Sequence, residues 1–581
     1  TSLESSRLDF DDTMIMARLL GREYIGLKSL ALSELGVQMT HIEEVLGDAK
    51  SMIDVDPEDA APYAAADAVN TYRLKEHFDP LMDEGSRWVY ENIEKPLLPV
   101  VVAMQLEGFH IDKEAVTKAH KAITDKIAHL ANTIRDRFQA SIKSGDIRLE
   151  LEPMPTKRSP ERTRVVYYGS KGARIGPPIS TSHPQSALWT YNPASSAQAP
   201  AYLGLPNAQA ETYEEDGGVL PLLHRDYDHF KKLLTSYVTP VSRMAKDGGR
   251  AFFSFNQSGT DTGRFSASGW KDIDGAPWGI NAQTAPKPKA SEDRSDPNTE
   301  SKLVRRQFAA DPGSSGCCGI ADYHEHSLVE VDYSQIELRV LAHWSRDRNM
   351  IPAYLNDQDL HDHVQQELYA GIYKKGDDQQ RRIAKVLNFG CAFEFNDYTA
   401  SGVVRRAAIK DGVRLTKEKS LEAVQSYRRA WPDVPAYYDF IDNFSHQSGY
   451  VQTLDGRRTP ARYVPDPFTW KPRYRSKEWY AWREVQKANE AELRRLINMP
   501  IQGTAADILK RAMIALYPTT PEWVKWKATV HDSLLFGCPV GRERDVMSWA
   551  KEPMETTSKL LVPILVEGTF GPNWADQEKM E

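Results

Sequence analysis

The chain has 581 residues, 41% of them hydrophobic and 27% charged, with a formal net charge of -8. That is the profile of an ordinary globular protein with material for several domains, and it excludes a disordered, collagenous or uniformly basic chain. Cys317, Cys318, Cys391 and Cys538 have neither the number nor the spacing of a disulfide framework or zinc site. No apolar run nears membrane-spanning length, and no signal-peptide pattern opens the chain. A reducing, cytoplasmic location without secretion is expected. The first residue, Thr1, is not Met, as in a fragment or processed product.

Residues 10–85 read as short helices, ending in Tyr63-Ala-Ala-Ala-Asp67. Four residues apart, Tyr63 and Asp67 share a helix face, where an aspartate holds a metal and a tyrosine orients a water; any helix can also carry such a pair. Glu94 to Asp112 has helical apolar spacing, a Gly stop and a short extended piece, and Lys113 to Ser141 reads as a long amphipathic helix. Residues 142–222 are rich in Pro, Ser, Gly and basic side chains with few regular patterns. Lys157 to Arg174 there suits either a phosphate backbone or a solvated insertion. Helical spacing returns from His224 to Val238.

Thr262-Gly-Arg264-Phe-Ser follows a strand-like Ala251–Phe255, and Asn281 and Gln283 come after it. Glycine beside arginine permits close approach to a ligand and donation to minor-groove acceptors; the alternative is an ordinary turn with a surface arginine. In Leu328-Val-Glu-Val-Asp332-Tyr-Ser-Gln335-Ile-Glu337-Leu-Arg339 a strand ends in a carboxylate and passes at once into a helix. Asp332 is a rigid metal mount or a helix cap, and Arg339 reads as a structural ion-pair partner. Arg381, Lys385 and Phe389 recur every four residues, so two cations and an aromatic share one helix face, suited to a triphosphate with a sugar or base, or else to solvent. In Asn498-Met-Pro-Ile-Gln502-Gly-Thr-Ala-Ala-Asp, the Pro and Gly are expected to end one helix and start another, with neutral amides suited to groove acceptors. Lys527 to Phe536 reads as a hairpin with Asp532 at its tip, following His531. If it lies beside the Asp332 strand, the two aspartates can bind two divalent ions.

Taken together and in this order, these motifs resemble family A (DNA polymerase I-like) DNA polymerases over nearly the whole chain. The resemblance implies an α/β (α+β) right-hand fold: a partial 3′–5′ exonuclease-like, RNase H-like domain at 1–85, palm entry and thumb at 86–250, palm at 251–345, fingers at 346–490, and the C-terminal palm at 491–581. It implies two Mg2+ (or Mn2+) ions on Asp332, Asp532 and the Tyr333 carbonyl, serving primer-template DNA and deoxynucleoside triphosphates. Arg381, Lys385 and His361 (in Asp359-Leu-His361) become phosphate contacts, and Phe389 and Gln335 nucleotide contacts. Glu337 becomes a filter against the ribose 2′-hydroxyl, which separates the chain from single-subunit RNA polymerases. Arg264, Asn281, Gln283, Asn498, Gln502, His531 and Phe393 become DNA contacts. Three departures stand out. Phe393-Glu394 replaces the usual Tyr-Gly, so a carboxylate sits where a templating base would pass. Ser533 replaces a second acid after Asp532. Of the exonuclease motifs only Tyr63 and Asp67 remain, as relics that are not expected to proofread. The alternative is a catalytically impaired DNA-binding remnant. A compact body with insertions suggests a phage or viral source.

Overall fold

The computed structural model describes residues 10–49, 51–153, 163–169, 174–181, 198–203, 205, 207–210, 212–213, 218–246, 249–268, 270–271, 277–278, 280–287, 296, 299–312, 325–369, 378–410 and 415–580. The chain is a mostly helical α/β protein that divides into two compact units. One comprises Thr1–His110, Phe252–Thr284 and Ala309–Glu581, the other Ile111–Ala251 and Ala285–Phe308.

The second unit is built on helix Lys113–Lys143, whose N-cap Asp112 accepts from the Glu114 and Ala115 amides. Its buried stripe of Val116, Ala119, Ile123, Leu130, Ile134 and Phe138 steps by three, four or seven residues, which keeps it on one apolar helix face. The lower half of that stripe packs with Tyr227 and Phe230 of helix Val219–Leu233. Residues 142–222 are more regular than their composition suggests. Ile147–Pro153, Thr163–Gly169 and Arg174–Thr181 form an antiparallel three-stranded sheet. The central strand, Thr-Arg-Val-Val-Tyr-Tyr-Gly, carries the β-branched and aromatic residues that favour this geometry, a signal masked by the surrounding Pro and Ser. Residues 157–162 and 170–173 of the basic run fall outside the described residues.

The first unit is organised around an antiparallel five-stranded sheet. Its spatial order is Lys525–Val530, Ser533–Pro539, His326–Tyr333, Val566–Gly571, Glu578–Lys579. In the central strand Val329, Val331 and Tyr333 are buried on one face, while Glu330 and Asp332 lie on the other, partly exposed. Helix Glu543–Thr556 packs on this sheet, and helix Ile336–Ser345 packs against the long helix Lys477–Leu516.

That long helix corrects the expectation at Asn498–Asp507: it runs for 40 residues straight through Pro500. Proline removes one backbone donor, but packing keeps the turn intact, and the Tyr437 hydroxyl donates to the Ile497 carbonyl there at 2.8 Å. Gly503 has the close contact its small size predicts. A Cβ there would lie 2.6 Å from the Thr453 side chain and 3.2 Å from the Thr262 carbonyl. The same helix contributes Asp507 and Lys510 to a buried cluster: Arg457 Nη2 lies 2.5 Å from Glu94 Oε1 and 2.6 Å from Asp507 Oδ1, and Lys510 Nζ lies 2.6 Å from Glu94 Oε1. Burial opposes ionisation of Glu94, but the charges of Lys510 and Arg457 prevail and lower its pKa. Burial pulls the Lys510 amine down to about 8.

Candidate active site

Sheet register decides the central question. Asp332 lies opposite Ser533 on the neighbouring strand, so Asp532 at the hairpin tip is the next residue along. The Tyr333 amide donates to the Asp532 carbonyl at 3.3 Å. The two aspartates are therefore brought to the same end of adjacent strands, and Asp332 is no mere helix cap: the helix begins at Ile336 and its capping position is Gln335. The Tyr333 side chain is buried, its hydroxyl donating to the Met554 carbonyl at 2.8 Å, which anchors the backbone whose carbonyl is the third candidate ligand. Two carboxylates and a peptide carbonyl form an all-oxygen donor set, which suits Mg2+ or Mn2+ rather than a soft metal. Among the described residues no three His, Cys, Asp or Glu side chains group as a metal site. An ion here would complete its shell with other oxygens, as Mg2+ commonly does with waters and substrate phosphates.

Gln283 fixes the hairpin tip. Its Nε2 donates to the Thr529 carbonyl at 2.8 Å and its Oε1 accepts from the His531 amide at 2.7 Å. Asn281 in turn accepts from the Gln283 amide at 3.0 Å. Gln283 is thus engaged at both ends of its amide in holding the turn, a positioning role that the sequence did not disclose. His531 is exposed and takes a left-handed φ of +58°, and Gln335, three residues after Asp332, has φ +53°. Left-handed non-glycine residues are uncommon, and here they stand beside both aspartates.

The serine at 533 is not an empty substitution. Its buried Oγ donates to Glu330 Oε1 at 2.8 Å, while also lying 3.0 Å from the Val530 carbonyl. Glu330 shares the Asp332 face of the strand, two residues upstream, so a carboxylate from the adjacent strand stands beside the serine where the resemblance expects an acid. Its signal was the single charge in an apolar strand.

Arg264 and Glu337, expected to act on primer and sugar separately, form an ion pair. Burial lowers the Arg264 pKa and the charge of Asp532 opposes that shift. Arg264, Ile336, His531 and Asp532 line one cleft. Gln335 Oε1 accepts from the Tyr354 hydroxyl at 3.3 Å. Arg339 departs from the ion-pair expectation: it donates to the carbonyls of Ser334 at 2.7 Å and Pro563 at 2.6 Å, and its guanidinium lies 4.4 Å from the Tyr354 ring centre. The turn after the strand needs backbone acceptors satisfied, which a guanidinium fork does well.

The cationic face forms on helix Asp378–Cys391. Arg381 pairs with Asp359 at 2.5 Å, and Asp359 caps the preceding helix Leu360–Leu368 by accepting from the His361 amide at 2.8 Å. His361 is buried, and its ring is defined by a chain of contacts. Trp431 Nε1, which can only donate, lies 3.1 Å from Asn388 Oδ1; Asn388 Nδ2 therefore faces His361 Nδ1, 2.9 Å away, and makes it the acceptor. Burial is the main reason its pKa falls to about 4; Asp359 opposes the shift, and Lys385 and Arg381 add to it. His361 is therefore a neutral imidazole whose proton sits on Nε2. Lys385 is exposed, and the side chain of Phe389 lies outside the described residues.

That helix ends at Cys391, so Phe393-Glu394 lies in the following turn. Glu394 is buried, its carboxylate 2.8 Å from Arg494 Nε, so the unexpected charge is neutralised. Asn498 Nδ2 donates to the Arg494 carbonyl at 3.0 Å, and Gln502 follows one turn later, its Nε2 at 3.4 Å from Asn498 Oδ1. Tyr63 and Asp67 share helix Pro57–Phe78, with Lys28 Nζ 4.8 Å from the centre of the Tyr63 ring.

Known proteins resemble this chain along most of its length. The signature described as DNA polymerase family A matches residues 211–576, and one described as 3′-5′ exonuclease matches residues 9–83. DNA polymerase I of Chloroflexus aurantiacus is 29% identical over 98% of this chain and 52% of its own length. The thermostable DNA polymerase I of Thermus thermophilus is 27% identical over 85% of this chain and 49% of its own. The chain thus spans about half the length of these curated relatives. The POL domain of Pol1 from M. smegmatis, solved in complex with DNA primer-template and dNTP, superposes with a TM-score of 0.68 at 20% identity, covering 97% of this chain and 82% of that one. With its family signature spanning more than half of its length, the chain belongs to DNA polymerase family A.

Proposed function

We propose that the chain is a template-directed DNA polymerase that adds deoxynucleotides to a primer 3′ end. The observation that carries this is the placement of Asp332 and Asp532 at one end of adjacent antiparallel strands in a family A chain. In this reading residues 251–345 and 491–581 are palm, 346–490 fingers, 86–250 palm entry and thumb, and 1–85 the remaining exonuclease-like part. Asp332, Asp532 and the Tyr333 carbonyl would hold two Mg2+ or Mn2+ ions, which when bound activate the attacking hydroxyl and stabilise the leaving pyrophosphate. Arg381, Lys385 and neutral His361 steady the triphosphate, and Glu337, held by Arg264, closes the sugar position to a 2′-hydroxyl. Asn498, Gln502, Asn281 and His531 contact the primer-template, with Phe393 beside the templating base and Phe389 against the sugar. Catalysis of this kind is largely positioning and charge stabilisation, which is what these rigidly mounted groups supply. In this reading Tyr63 and Asp67 are relics of an exonuclease site and proofreading is absent or incomplete; strong primer degradation that is lost in Asp67→Ala would overturn that.

Primer extension with deoxynucleotides and Mg2+ tests the reading. Extension should vanish in Asp332→Ala and Asp532→Ala and on chelation, and ribonucleotides should enter only once Glu337 is replaced by Ala. No extension by the wild-type chain would favour a DNA-binding remnant. Undiminished extension by Asp332→Ala would reject the assigned site.

A further inference from the structure

The stretch before and into the long helix, residues 468–483, holds a feature that the catalytic reading does not use. It reads Phe-Thr-Trp-Lys-Pro-Arg-Tyr-Arg-Ser-Lys-Glu-Trp-Tyr-Ala-Trp-Arg, with six aromatic rings and five cations against a single acid. In a chain of net charge -8 this is a local reversal of sign. The segment is fixed in place. Asn489 clamps the Val464 backbone at 2.8 and 3.0 Å, Asp466 accepts from Trp482 Nε1 at 3.1 Å, and Ser476 caps the helix by accepting from the Trp479 amide at 3.1 Å.

Yet its rings are not spent on a core. Trp470, Tyr474 and Tyr480 are 56%, 66% and 57% exposed. They are braced by neighbours, Trp470 by Phe468 at 5.5 Å and both tyrosines by Trp479 at 4.9 and 5.1 Å between ring centres. Among the described residues Lys471, Arg473, Arg475 and Lys477 form no ion pair with a carboxylate; Lys471 lies 6.0 Å from the Trp482 ring centre and Arg475 5.2 Å from that of Tyr474, so rings but no acid offset their charge. Exposed, braced rings interleaved with cations that pair with no acid are the chemistry that holds single-stranded nucleic acid: bases stack on the rings and phosphates meet the cations. A duplex would use the cations but leave the rings idle, because its bases are already stacked.

We propose that residues 468–483 are a platform for single-stranded DNA. The strand's identity, the unpaired template ahead of the active site, rests on the polymerase reading; the binding chemistry does not. Continuity supports it, since Tyr480 and Asn498 lie on one helix, about 27 Å apart at 1.5 Å per residue.

Fluorescence anisotropy of the full chain with labelled oligodeoxythymidine tests the platform. Replacing Trp470, Tyr474 and Tyr480 together by Ala should weaken binding about tenfold or more, and Tyr474→Phe should leave it intact. Replacing Lys471, Arg473 and Lys477 by Gln should lower the salt slope by roughly 2, at about 0.7 per cation lost. Asp332→Ala should bind the oligomer normally while failing to extend a primer, which separates the two proposals. The platform variants should in turn extend a primer with a short template overhang normally and lose efficiency on a long one. Unchanged affinity and salt slope in both sets of variants would overturn the proposal and leave this surface to a protein partner.

Discussion

Asp332 and Ser533 meet across two strands, and the residues they bring along define most of the local chemistry. Ser533 Oγ and Glu330 form a hydrogen bond to a charged group, the stronger kind. A double-mutant cycle of Ser533→Ala and Glu330→Gln, read by urea unfolding, should give a coupling of roughly 1–2 kcal/mol; a value near zero would mean that the two side chains do not hold each other in solution. His361 supplies a pH dependence. Its folded pKa, about 4, lies below its ordinary value of 6.5, so the unfolded chain takes up the proton first as pH falls. Stability should therefore decline between pH 6.5 and 4, and His361→Gln should flatten that decline relative to wild type in denaturant titrations.

Helix Lys477–Leu516 carries the proposed aromatic platform at one end, Asn498 and Gln502 in the middle and the buried Asp507 and Lys510 beyond. Just past Pro500 it packs closely at Gly503 against Thr453. Gly503→Ala would normally gain about 1 kcal/mol in a helix interior. Here the added methyl meets the Thr453 methyl group and the Thr262 carbonyl, so overpacking should dominate and cost about 1–3 kcal/mol. Thr453→Ser removes that methyl while keeping the hydroxyl that donates to Asp507 at 2.8 Å. The pair Gly503→Ala/Thr453→Ser should recover most of the melting temperature, and no recovery would place the clash at the Thr262 carbonyl instead.

At the scale of the molecule, the cluster of Glu94, Arg457, Asp507 and Lys510 joins segments hundreds of residues apart within the first unit. Its charges are stable only as a set. Arg457→Met would leave two buried carboxylates sharing Lys510, and removal of one partner from a buried ionic group costs about 3–5 kcal/mol. Thermal unfolding of that variant should show a large drop, whereas Arg483→Met, in an exposed pair with Glu490, should change stability by no more than about 1 kcal/mol.

The order of motifs, the strand-to-helix change after Asp332, the carboxylate at the hairpin tip and the amphipathic stripe of Lys113–Lys143 were legible in the sequence, because each follows from local periodicity or turn chemistry. The same local reasoning failed at Pro500, where packing outweighed a missing backbone donor, and in residues 142–222, where three strands lie among loop-forming residues. It also could not place Gln283 on the His531 turn, Glu330 beside Ser533, or Arg494 on Glu394, since those partners lie far apart in the chain. Sequence determined which chemical groups the protein has and on which elements they sit. Tertiary structure alone decided which of them face each other, because a side chain's partner is set by strand register and helix packing, neither of which is written in the spacing of neighbouring residues.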